Sequence, residues 1–280
     1  MRVMIFGASG LLGKALTSEW TGDQVIGLGS KDADIRDSQQ ILKAVERWRP
    51  EWIVLAAAFT DVDGCETHPD VAMEVNCRGA LNVARAASHL GARLLFLSSD
   101  YVFDGAKSTP YETDDPRAPQ SAYGRSKEEA ETRLSKILPD CCIVRTSWLF
   151  GVGGKCFPDT ILKLASGVSE IEVVNDQRGC PTYNRDLART VIELCRRGGK
   201  GIVHATNTGD CTWFEFANQI VRTARLKTLV RATSSDRIAR PAKRPVYSVL
   251  SPKSLHQYQL SMPSWQDALC RYLAERDSQV

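Results

Sequence analysis

The sequence predicts an α/β fold, built on a doubly wound parallel sheet with a smaller lobe in the C-terminal half. Three observations support this prediction. The first half of the chain alternates short apolar runs with helical patterns, the runs are apolar at nearly every position, and a glycine-rich turn joins the first run to a helix. Strand and helix in repeated order are typical of a parallel sheet covered on both faces, whose strands are apolar throughout.

The predicted elements of the first half follow in a regular order. Strands are predicted at residues 2–6, 24–28, 52–57, 93–97 and 141–145. The helices between them are predicted to run from the glycine-rich turn through Trp20, then at 39–48, 71–90 and 122–138. Small and apolar residues of the segment 71–90 recur near one helical face, as in a helix that packs on a sheet.

From about residue 150 the pattern loosens, and proline and glycine become frequent. Short strands are predicted at 171–174 and 201–205, and helices at 184–195, 213–223 and 264–274. We therefore expect residues 1–150 to form the sheet domain. Residues 151–280 should form mainly the smaller lobe, with some segments returning to the sheet.

Composition excludes several functional classes. The 280 residues are 43% apolar and 25% charged, with a formal net charge of +3, which argues against disorder. The charge is too small and too dispersed to predict nucleic-acid binding. The longest apolar runs fall far short of the ~18 residues of a membrane helix, and the N-terminus does not resemble a signal peptide. We expect a cytoplasmic protein that binds neither nucleic acid nor membranes.

The nine cysteines are odd in number and scattered, without a Cys-x-x-Cys pair. This pattern argues against a zinc or redox site, and the four histidines have no ligand spacing either. The sequence therefore predicts no metal site and reduced thiols that act as small apolar side chains.

A phosphate-binding loop is predicted where the first strand meets the first helix. Gly7, Gly10 and Gly13 have the spacing G-x-x-G-x-x-G, with Leu11 and Leu12 opening the helix. Glycines allow a sharp turn and a close approach of the backbone to a pyrophosphate, and the helix N-terminus offers free N–H groups. This placement predicts a dinucleotide-binding domain of the Rossmann type. A plain strand–helix turn is the alternative.

The end of the second predicted strand bears on the choice of dinucleotide. An acidic residue usually holds the ribose hydroxyls there, but the first acid after this strand is Asp32. Ser30 and Lys31 precede it and can accept a 2′-phosphate. The sequence favours NADP(H) as the cofactor, with NAD(H) as the alternative if Asp32 reaches the ribose.

A tyrosine and a lysine four residues apart form the predicted catalytic pair. Tyr123 and Lys127 share one face of the helix at 122–138. A lysine cation favours the phenolate and lowers the pKa of a nearby tyrosine, which can then exchange a proton with a carbonyl oxygen. The lysine can also hydrogen-bond the ribose of a nicotinamide. Ser99 ends a buried strand at the edge where ligands bind, so its hydroxyl is placed to hold a substrate carbonyl.

Taken together, these residues resemble the extended short-chain dehydrogenase/reductases that act on nucleotide sugars, and among them the dTDP-4-dehydrorhamnose reductases. The resemblance covers essentially the whole chain. Beyond the glycine loop, Ser99, Tyr123 and Lys127, it rests on six runs: LAAAFTDVD (55–63), SSDYVFDG (98–105), RTSW (145–148), NDQRGCPT (175–182), RPVYSVL (244–250) and PSW (263–265).

The resemblance implies roles for further residues. NAD(P)H would lie over Gly10, Leu11 and Leu12, and the residues expected along its adenine and middle are Asp34, Ile35, Ala57 and Ala58. Ser99, Tyr123 and Lys127 would be catalytic. The C-terminal part would be a substrate-binding lobe, and the residues facing the sugar nucleotide would be Thr60, Ser99, Asp100, Trp148 and Arg244.

General chemistry agrees with three of these assignments. Trp148 would offer a flat apolar face to a deoxysugar or a base; the alternative is a tryptophan that only packs in the core. Arg244 would pair with a diphosphate, against the alternative of a solvated cation. Asp100 would accept hydrogen bonds from sugar hydroxyls, or else stabilise a turn.

The implied reaction is the reduction of the C4 ketone of dTDP-4-dehydro-L-rhamnose to dTDP-L-rhamnose, a precursor of cell-surface polysaccharide. Some relatives bind magnesium through glutamates at a dimer interface, but the corresponding positions here hold Ala15, Arg185 and Gln266. We therefore expect no such metal site, and either a monomer or a homodimer of another kind.

Two other functions remain open at this point. One is another sugar-nucleotide reductase or epimerase, since an epimerase would use the same cofactor and a related sugar. The other is a non-catalytic NADP-binding subunit like the regulatory subunit of methionine adenosyltransferase, which shares the run SDYVFDG. Because the catalytic residues and the runs RTSW and NDQ are intact, the sequence favours the reductase.

Overall fold

The computed structural model describes residues 1–278. Its centre is a six-stranded sheet whose strands are β1 (Arg2–Phe6), β2 (Gln24–Leu28), β3 (Trp52–Leu55), β4 (Arg93–Ser99), β5 (Cys142–Thr146) and β10 (Gly201–His204). Their order in the sheet is β2-β1-β3-β4-β5-β10, and every neighbouring pair is parallel. The prediction of a doubly wound parallel sheet of the Rossmann type is confirmed.

Helices cover both faces of the sheet. One face packs on α1 (Leu11–Glu19) and α8 (Asn184–Arg196), and the other on α2 (Ser38–Trp48), α5 (Ala80–Leu90) and α6 (Ala122–Ile137). The strand residues alternate between these two apolar cores, so that Val3 and Ile5 face one and Met4 and Phe6 the other. This arrangement explains why the strands are apolar at nearly every position.

The helix predicted at 71–90 is divided in the structure. It consists of α4 (Pro69–Ala72), a π-helical segment Met73–Gly79 and α5, and the short helix α3 (Val62–Thr67) precedes it. Strand β3 ends at Leu55, two residues before the predicted end, because the chain there turns past the glycine loop. A Cβ added to Gly7 would lie 2.5 Å from the backbone nitrogen of Ala57.

The later segments build a third apolar core, that of the second lobe. Its helices are α7 (Phe157–Ala165), α9 (Trp213–Thr223) and α11 (Trp265–Asp277), packed with the parallel pair β7 (Glu170–Val174) and β12 (Leu229–Thr233). The remaining elements are short: β6 (Leu149–Phe150), β8 (Arg178–Gly179), β9 (Thr182–Tyr183), β11 (Cys211–Thr212) and α10 (Lys253–His256). Helix α8 packs against the six-stranded sheet, and β10 is the edge strand of that sheet beside β5. Residues 279–280, the end of the predicted second region, lie outside the described residues.

Eight of the nine cysteines are buried, and Cys270 is exposed. All nine are free thiols. Burial raises the pKa of the Cys142 and Cys180 thiols to about 12, which keeps them protonated. Within residues 1–278, no helix has the length and apolar composition that crossing a membrane requires.

Candidate active site

The carboxyl-terminal edge of the sheet brings the predicted site residues together. The glycine loop follows β1, Ala57 and Ala58 follow β3, Ser99 ends β4, and Trp148 comes two residues after β5. These strands are neighbours in the sheet, so the side chains at their ends line one crevice. In open parallel sheets, ligands bind at this edge.

The glycine loop has the geometry of an anion cradle. Gly7 has a φ of +89°, which favours glycine, and a Cβ on Gly13 would lie 2.0 Å from the Gly7 carbonyl oxygen. Gly10 begins α1 without any side chain capping its N–H groups. The first backbone N–H groups of α1, at Leu11 and Leu12, therefore stay available for a phosphate.

The turn after β2 leaves two of the predicted side chains free. The Asp32 carboxylate accepts a hydrogen bond from the Gly29 backbone N–H at 2.8 Å, so this acid stabilises its own loop. Ser30 and Lys31 are exposed beside it. A hydroxyl and an ammonium are thus exposed at this turn, and their binding of a 2′-phosphate stays a prediction.

The two residues expected near the adenine differ in their surroundings. Asp34 is half-buried and holds the Arg36 guanidinium, with an Nη2–Oδ2 distance of 2.6 Å. Ile35 lies in the core, where its side chain would contact a Cβ added to Gly79 at 2.8 Å. The side chain of Ile35 thus packs inward, and its contact with an adenine stays a prediction.

Helix α6 is positioned by close contact with the turn after β4. The Ser121 hydroxyl caps its N-terminus by accepting the Gly124 N–H at 3.2 Å. A Cβ on Gly124 would lie 2.2 Å from the Tyr101 carbonyl oxygen, so only glycine allows the helix to approach so closely. Tyr123 packs edge-on against Tyr101, with ring centroids 5.6 Å apart. The helix thus holds Tyr123 beside the end of β4.

Ser99, Tyr123 and Lys127 meet at the end of β4. All three side chains are buried, and Ser99 is close enough to the Tyr123 phenol to lower its pKa, against the larger effect of burial. Lys127 donates a hydrogen bond to the Leu97 carbonyl oxygen at 2.6 Å, and its ammonium lies 4.2 Å from the centre of the Phe96 ring. The sequence reasoning that placed these three residues together agrees with this geometry.

Burial controls the protonation of this pair in the free chain. It raises the pKa of the Tyr123 phenol above its ordinary value, and it lowers the pKa of Lys127 to about 7. The prediction that Lys127 lowers the pKa of the phenol is therefore wrong for the free chain, since desolvation dominates at both groups. A phenol that stays protonated is suited to donate a proton.

Asp100 has an unpaired oxygen inside the site. Its side chain is 1% exposed, its Oδ1 accepts the Ser99 hydroxyl at 2.9 Å, and its Oδ2 has no hydrogen-bond partner. Burial raises the pKa of Asp100 to about 6, although the Ser248 and Ser99 hydroxyls act in the opposite direction. An unpaired buried acceptor is costly, so a ligand hydroxyl would find a partner here.

Trp148 is enclosed between two other residues. Its ring stacks on Trp213, with centroids 3.4 Å apart and an interplanar angle of 5°. A Cβ on Gly179 would lie 2.6 Å from Cε2, nearer than to the flanking Nε1 and Cζ2, so Gly179 covers the opposite face. This corrects the prediction of a flat apolar face open to a ligand: the partly exposed Trp148 presents its edge.

Arg244 is held by a carboxylate at the mouth of a neighbouring cavity. Its Nη1 and Nη2 donate to the two oxygens of Asp63 at 3.1 and 2.8 Å, which lowers the pKa of Asp63. The cavity is about 570 Å³ and is lined by apolar side chains such as Trp213, by the cations Arg240, Lys243 and Arg244, and by the acids Glu172 and Asp236. Arg244, which is predicted to bind the diphosphate, thus already has one anionic partner. Thr60, the other predicted substrate residue of this region, is exposed.

Asn76 is a site residue that the sequence reasoning missed. It lies in the π-helical segment and is 1% exposed. Its amide accepts the Phe59 N–H at 2.7 Å, and donates to the Phe59 carbonyl oxygen and to the Ser126 hydroxyl, both at 3.0 Å. It therefore links the loop after β3 to the helix of Tyr123 and Lys127. An asparagine on the apolar face of a predicted helix was the available signal.

The positions compared with the magnesium-binding glutamates lie away from this crevice. Arg185 forms ion pairs with Glu19 at 3.2 Å and Glu275 at 2.6 Å. Across residues 1–278, no group of three or more His, Cys, Asp or Glu side chains is arranged to hold a metal ion. At this position the Arg185 guanidinium therefore links the Glu19 and Glu275 carboxylates of the same chain.

Comparisons with known proteins extend over nearly the whole chain. The family described as "RmlD substrate binding domain" matches residues 1–278. The spore coat polysaccharide biosynthesis protein SpsK of Bacillus subtilis is 38% identical over 279 residues, covering 99% of this chain and 98% of that protein. A dTDP-4-dehydrorhamnose reductase of Streptomyces griseus is 41% identical over 258 residues, covering 89% and 85%.

Solved structures agree with these sequence matches. The dTDP-4-dehydrorhamnose reductase of Bacillus anthracis, crystallised in complex with NADP, has a TM-score of 0.95 to this chain at 38% identity. The alignment covers 98% of this chain and 99% of that one.

Proposed function

Because the chain belongs to the family described as RmlD substrate binding domain, we propose that it reduces the C4 ketone of dTDP-4-dehydro-L-rhamnose to dTDP-L-rhamnose with NADPH. The single observation that carries this proposal is the meeting of Ser99, Tyr123 and Lys127 at the end of β4, beside a glycine loop built to bind phosphate. Reduction of a ketone needs a proton donor next to a nicotinamide, and this crevice offers both places.

The residues present fit a bound dinucleotide. Gly7, Gly10, Leu11, Leu12 and Gly13 would hold the pyrophosphate through backbone N–H groups, because a side chain at Gly7 or Gly13 would collide with backbone. NADPH supplies the hydride that reaches C4. NADP(H) is the preferred cofactor, with NAD(H) as the alternative.

Further residues would hold the rest of the dinucleotide. Ser30 and Lys31 would bind the 2′-phosphate, since both are exposed at the turn after β2. The other cofactor contacts that we propose are made by Asp34, the backbone of Ile35, Ala57, Ala58, Tyr123 and Lys127.

Proton transfer falls to Tyr123. The buried phenol stays protonated at neutral pH and would donate its proton to the developing C4 alkoxide. Ser99 would hydrogen-bond the same oxygen and fix its position. Lys127 would leave its bond to the Leu97 carbonyl oxygen, or share it, to bind the nicotinamide ribose.

The sugar nucleotide would extend from this point towards the second lobe. Asp100 would accept a sugar hydroxyl through its unpaired Oδ2, and the edge of Trp148 would contact the hexose. Arg244 would bind the diphosphate with the donors that Asp63 leaves free, and Arg240 and Lys243 add positive charge at the cavity mouth. Thr60, at the rim, completes the set of proposed substrate contacts.

We further propose that the protein works in the cytoplasm, where nucleotide-sugar precursors of polysaccharide are made, and that it is a monomer or a homodimer. A dimer would assemble without interface magnesium, because Arg185 carries a positive charge at the position in question.

The test is the oxidation of NADPH by purified protein with dTDP-4-dehydro-L-rhamnose. We expect one NADPH consumed for each sugar reduced. Tyr123→Phe should lower kcat by at least ~10²-fold, because the proton donor is lost. Tyr258→Phe is the matched control, since the Tyr258 hydroxyl donates a hydrogen bond to the Lys200 carbonyl oxygen and is not one of the proposed site residues.

Three results would contradict the proposal. Full turnover by Tyr123→Phe would remove the proposed proton donor. Conversion of the sugar without net NADPH consumption, with cofactor retained through purification, would indicate an epimerase. Complete absence of turnover together with tight association with a synthetase would indicate a regulatory subunit.

A further inference from the structure

A buried ion pair lies one helical turn beyond Lys127. Glu131 is 1% exposed and Arg145 is fully buried. Arg145 donates from Nε to Oε1 of Glu131 at 3.0 Å and from Nη2 to Oε2 at 2.7 Å. Arg117 adds a third contact, from Nη1 to Oε2 at 3.2 Å. Nothing in the proposed reaction uses these charges.

The carboxylate of this pair also binds the catalytic strand. Ser98, the residue before Ser99, donates its hydroxyl to Oε1 of Glu131. The residue before that, Leu97, accepts the Lys127 ammonium through its carbonyl oxygen. Helix α6 is therefore joined by two polar bonds to Leu97 and Ser98, the two residues that precede Ser99 in β4.

We propose that Glu131 is a positioning residue of the reductase: its carboxylate, oriented by Arg145, fixes α6 against the end of β4 and places a negative charge one helical turn from Lys127. This inference rests on the proposed function, because it assigns a role to a residue that does not touch the substrate or the cofactor.

Packing alone does not account for a charged pair at this place. Removing two ions from water is costly, and apolar side chains of similar volume fill such a space at least as well. Two arginines and one serine hydroxyl converge on the two oxygens of Glu131, so the site is specific for a carboxylate. The arrangement is the one expected if a fixed negative charge is needed inside the helix–strand contact.

The charges around Lys127 are few. Glu131 lies on its own helix and raises the pKa of Lys127, whereas burial lowers it. From α3, the Cys65 thiol also faces it, but burial raises the pKa of that thiol to about 11, so it carries no charge at neutral pH. Strand β4 contributes the Phe96 ring and the Leu97 carbonyl oxygen. The negative charge that opposes desolvation of the ammonium therefore comes from Glu131.

The first experiment compares Glu131→Gln with the wild type in two measurements. Lysine side-chain NMR, with the Lys127 resonance assigned through Lys127→Arg, gives the pH at which Lys127 titrates in the cofactor-free protein. The pH profile of kcat gives the alkaline limb, where deprotonation of the ammonium lowers the rate. Glu129→Gln is the matched control, because Glu129 is on the same helix and pairs with the exposed Arg133.

We expect Glu131→Gln to titrate Lys127 about half a pH unit or more below the wild type, and to lower kcat about tenfold with little change in KM. The alkaline limb should move to lower pH by the same amount, whereas Glu129→Gln should leave both measurements unchanged. An unaltered Lys127 titration in Glu131→Gln overturns the inference. If the wild type reduces no sugar, the proposed function fails, but the titration still decides the role of Glu131.

A second variant decides the matter if Glu131→Gln does not fold. Ser98→Ala removes the bond from the strand to Glu131 and leaves the pair with Arg145 in place. We expect a severalfold lower kcat with the Lys127 titration unchanged, because the charge stays while the alignment of Ser99 loosens. Wild-type kcat in Ser98→Ala would overturn the positioning role.

Discussion

At the scale of single residues, Gly179 confines the indole ring of Trp148. Trp148 has a φ of +45°, in the left-handed region, and its ring is fixed between Gly179 and Trp213. The strained backbone and the stack together orient the edge of the ring towards the crevice. This explains why the run NDQRGCPT has a glycine at its fifth position.

Substitution of Gly179 should therefore damage both stability and substrate binding. In Gly179→Ala the added methyl group would overlap the indole, and we expect the free energy of unfolding to fall by about 1–3 kcal/mol. KM for the sugar nucleotide should rise more than KM for NADPH, because the ring that moves lies on the substrate side. Denaturant unfolding and steady-state kinetics measure the two effects.

Gly167→Ala is the control for this substitution, since nothing lies within 4 Å of a Cβ at Gly167. It should leave stability and kinetics close to those of the wild type. A Gly179→Ala protein with wild-type stability would show that Trp148 is not confined as described.

Cofactor choice depends on the exposed side chains after β2. Lys31→Ala removes a cation that would bind the 2′-phosphate, so KM for NADPH should rise about tenfold while KM for NADH stays nearly the same. Lys43→Ala, on the exposed side of α2, is the matched control. Equal changes in the two Michaelis constants would indicate that Lys31 acts only as a general surface charge.

The sequence predicted the chemistry at this scale better than the contacts. Glycine spacing and a Tyr-x-x-x-Lys pair reveal which groups are present, because these depend on local geometry. The closure of Trp148 depends on Gly179 and Trp213, which are distant in the chain, and the raised pKa of Tyr123 depends on burial. Neither property is written in a local pattern.

At the scale of elements, the π-helical segment between α4 and α5 is the feature that periodicity did not predict. A seven-residue run, Met73–Gly79, has the wider winding and contains Asn76. Single π turns inside α-helices are frequent at functional sites. The sequence predicted one continuous helix at 71–90 because the apolar spacing of a π turn differs too little from that of an α-helix over seven residues.

Asn76→Ala should uncouple the elements that Asn76 joins. Three hydrogen bonds would be lost and the polar backbone of Phe59 would be left unpaired, so we expect a loss of about 2–4 kcal/mol in unfolding free energy. The rate of reduction should fall as well, since α6 loses its link to the loop after β3. Asn218→Ala, at an exposed position of α9, should change neither quantity. Thermal unfolding and kcat test both expectations.

At the scale of the whole molecule, a buried histidine should make stability depend on pH. Burial lowers the pKa of His204, which ends β10, to about 3 from an ordinary value of 6.5. Between these values the unfolded chain binds a proton that the folded chain does not, so stability falls as the pH falls. We expect a loss of about 2–4 kcal/mol between pH 7 and pH 3.5 from this residue.

His204→Gln should flatten that dependence, and denaturant unfolding across the pH range measures it. Asp100 acts in the opposite sense, because its pKa is raised to about 6 and the folded chain then holds the extra proton. Only the difference between His204→Gln and the wild type therefore isolates the histidine. His256→Gln, at an exposed position, should follow the wild-type curve, and a His204→Gln curve that does the same would contradict the prediction.

The order of the sheet also belongs to this scale. Sequence periodicity located all six strands of the sheet within a few residues, but it did not predict that β10 lies beside β5. Helix α7 and strand β12 were not predicted, because their apolar residues face a small core of short elements. We propose that residues 1–150 are the dinucleotide-binding domain and that 151–280 are mainly the substrate-binding lobe.

Because eight cysteines are buried and Cys270 is exposed, the labelling of thiols can report on unfolding. A thiol reagent added to the native protein would modify Cys270 at once, while eight further groups would react only as the chain opens. Mass spectrometry would follow the rate at which each of these cysteines is labelled. Cys156 and Cys211 lie in the core of the second lobe, whereas Cys77, Cys141 and Cys142 lie in the two cores of the sheet. The order of labelling would therefore show which lobe unfolds first.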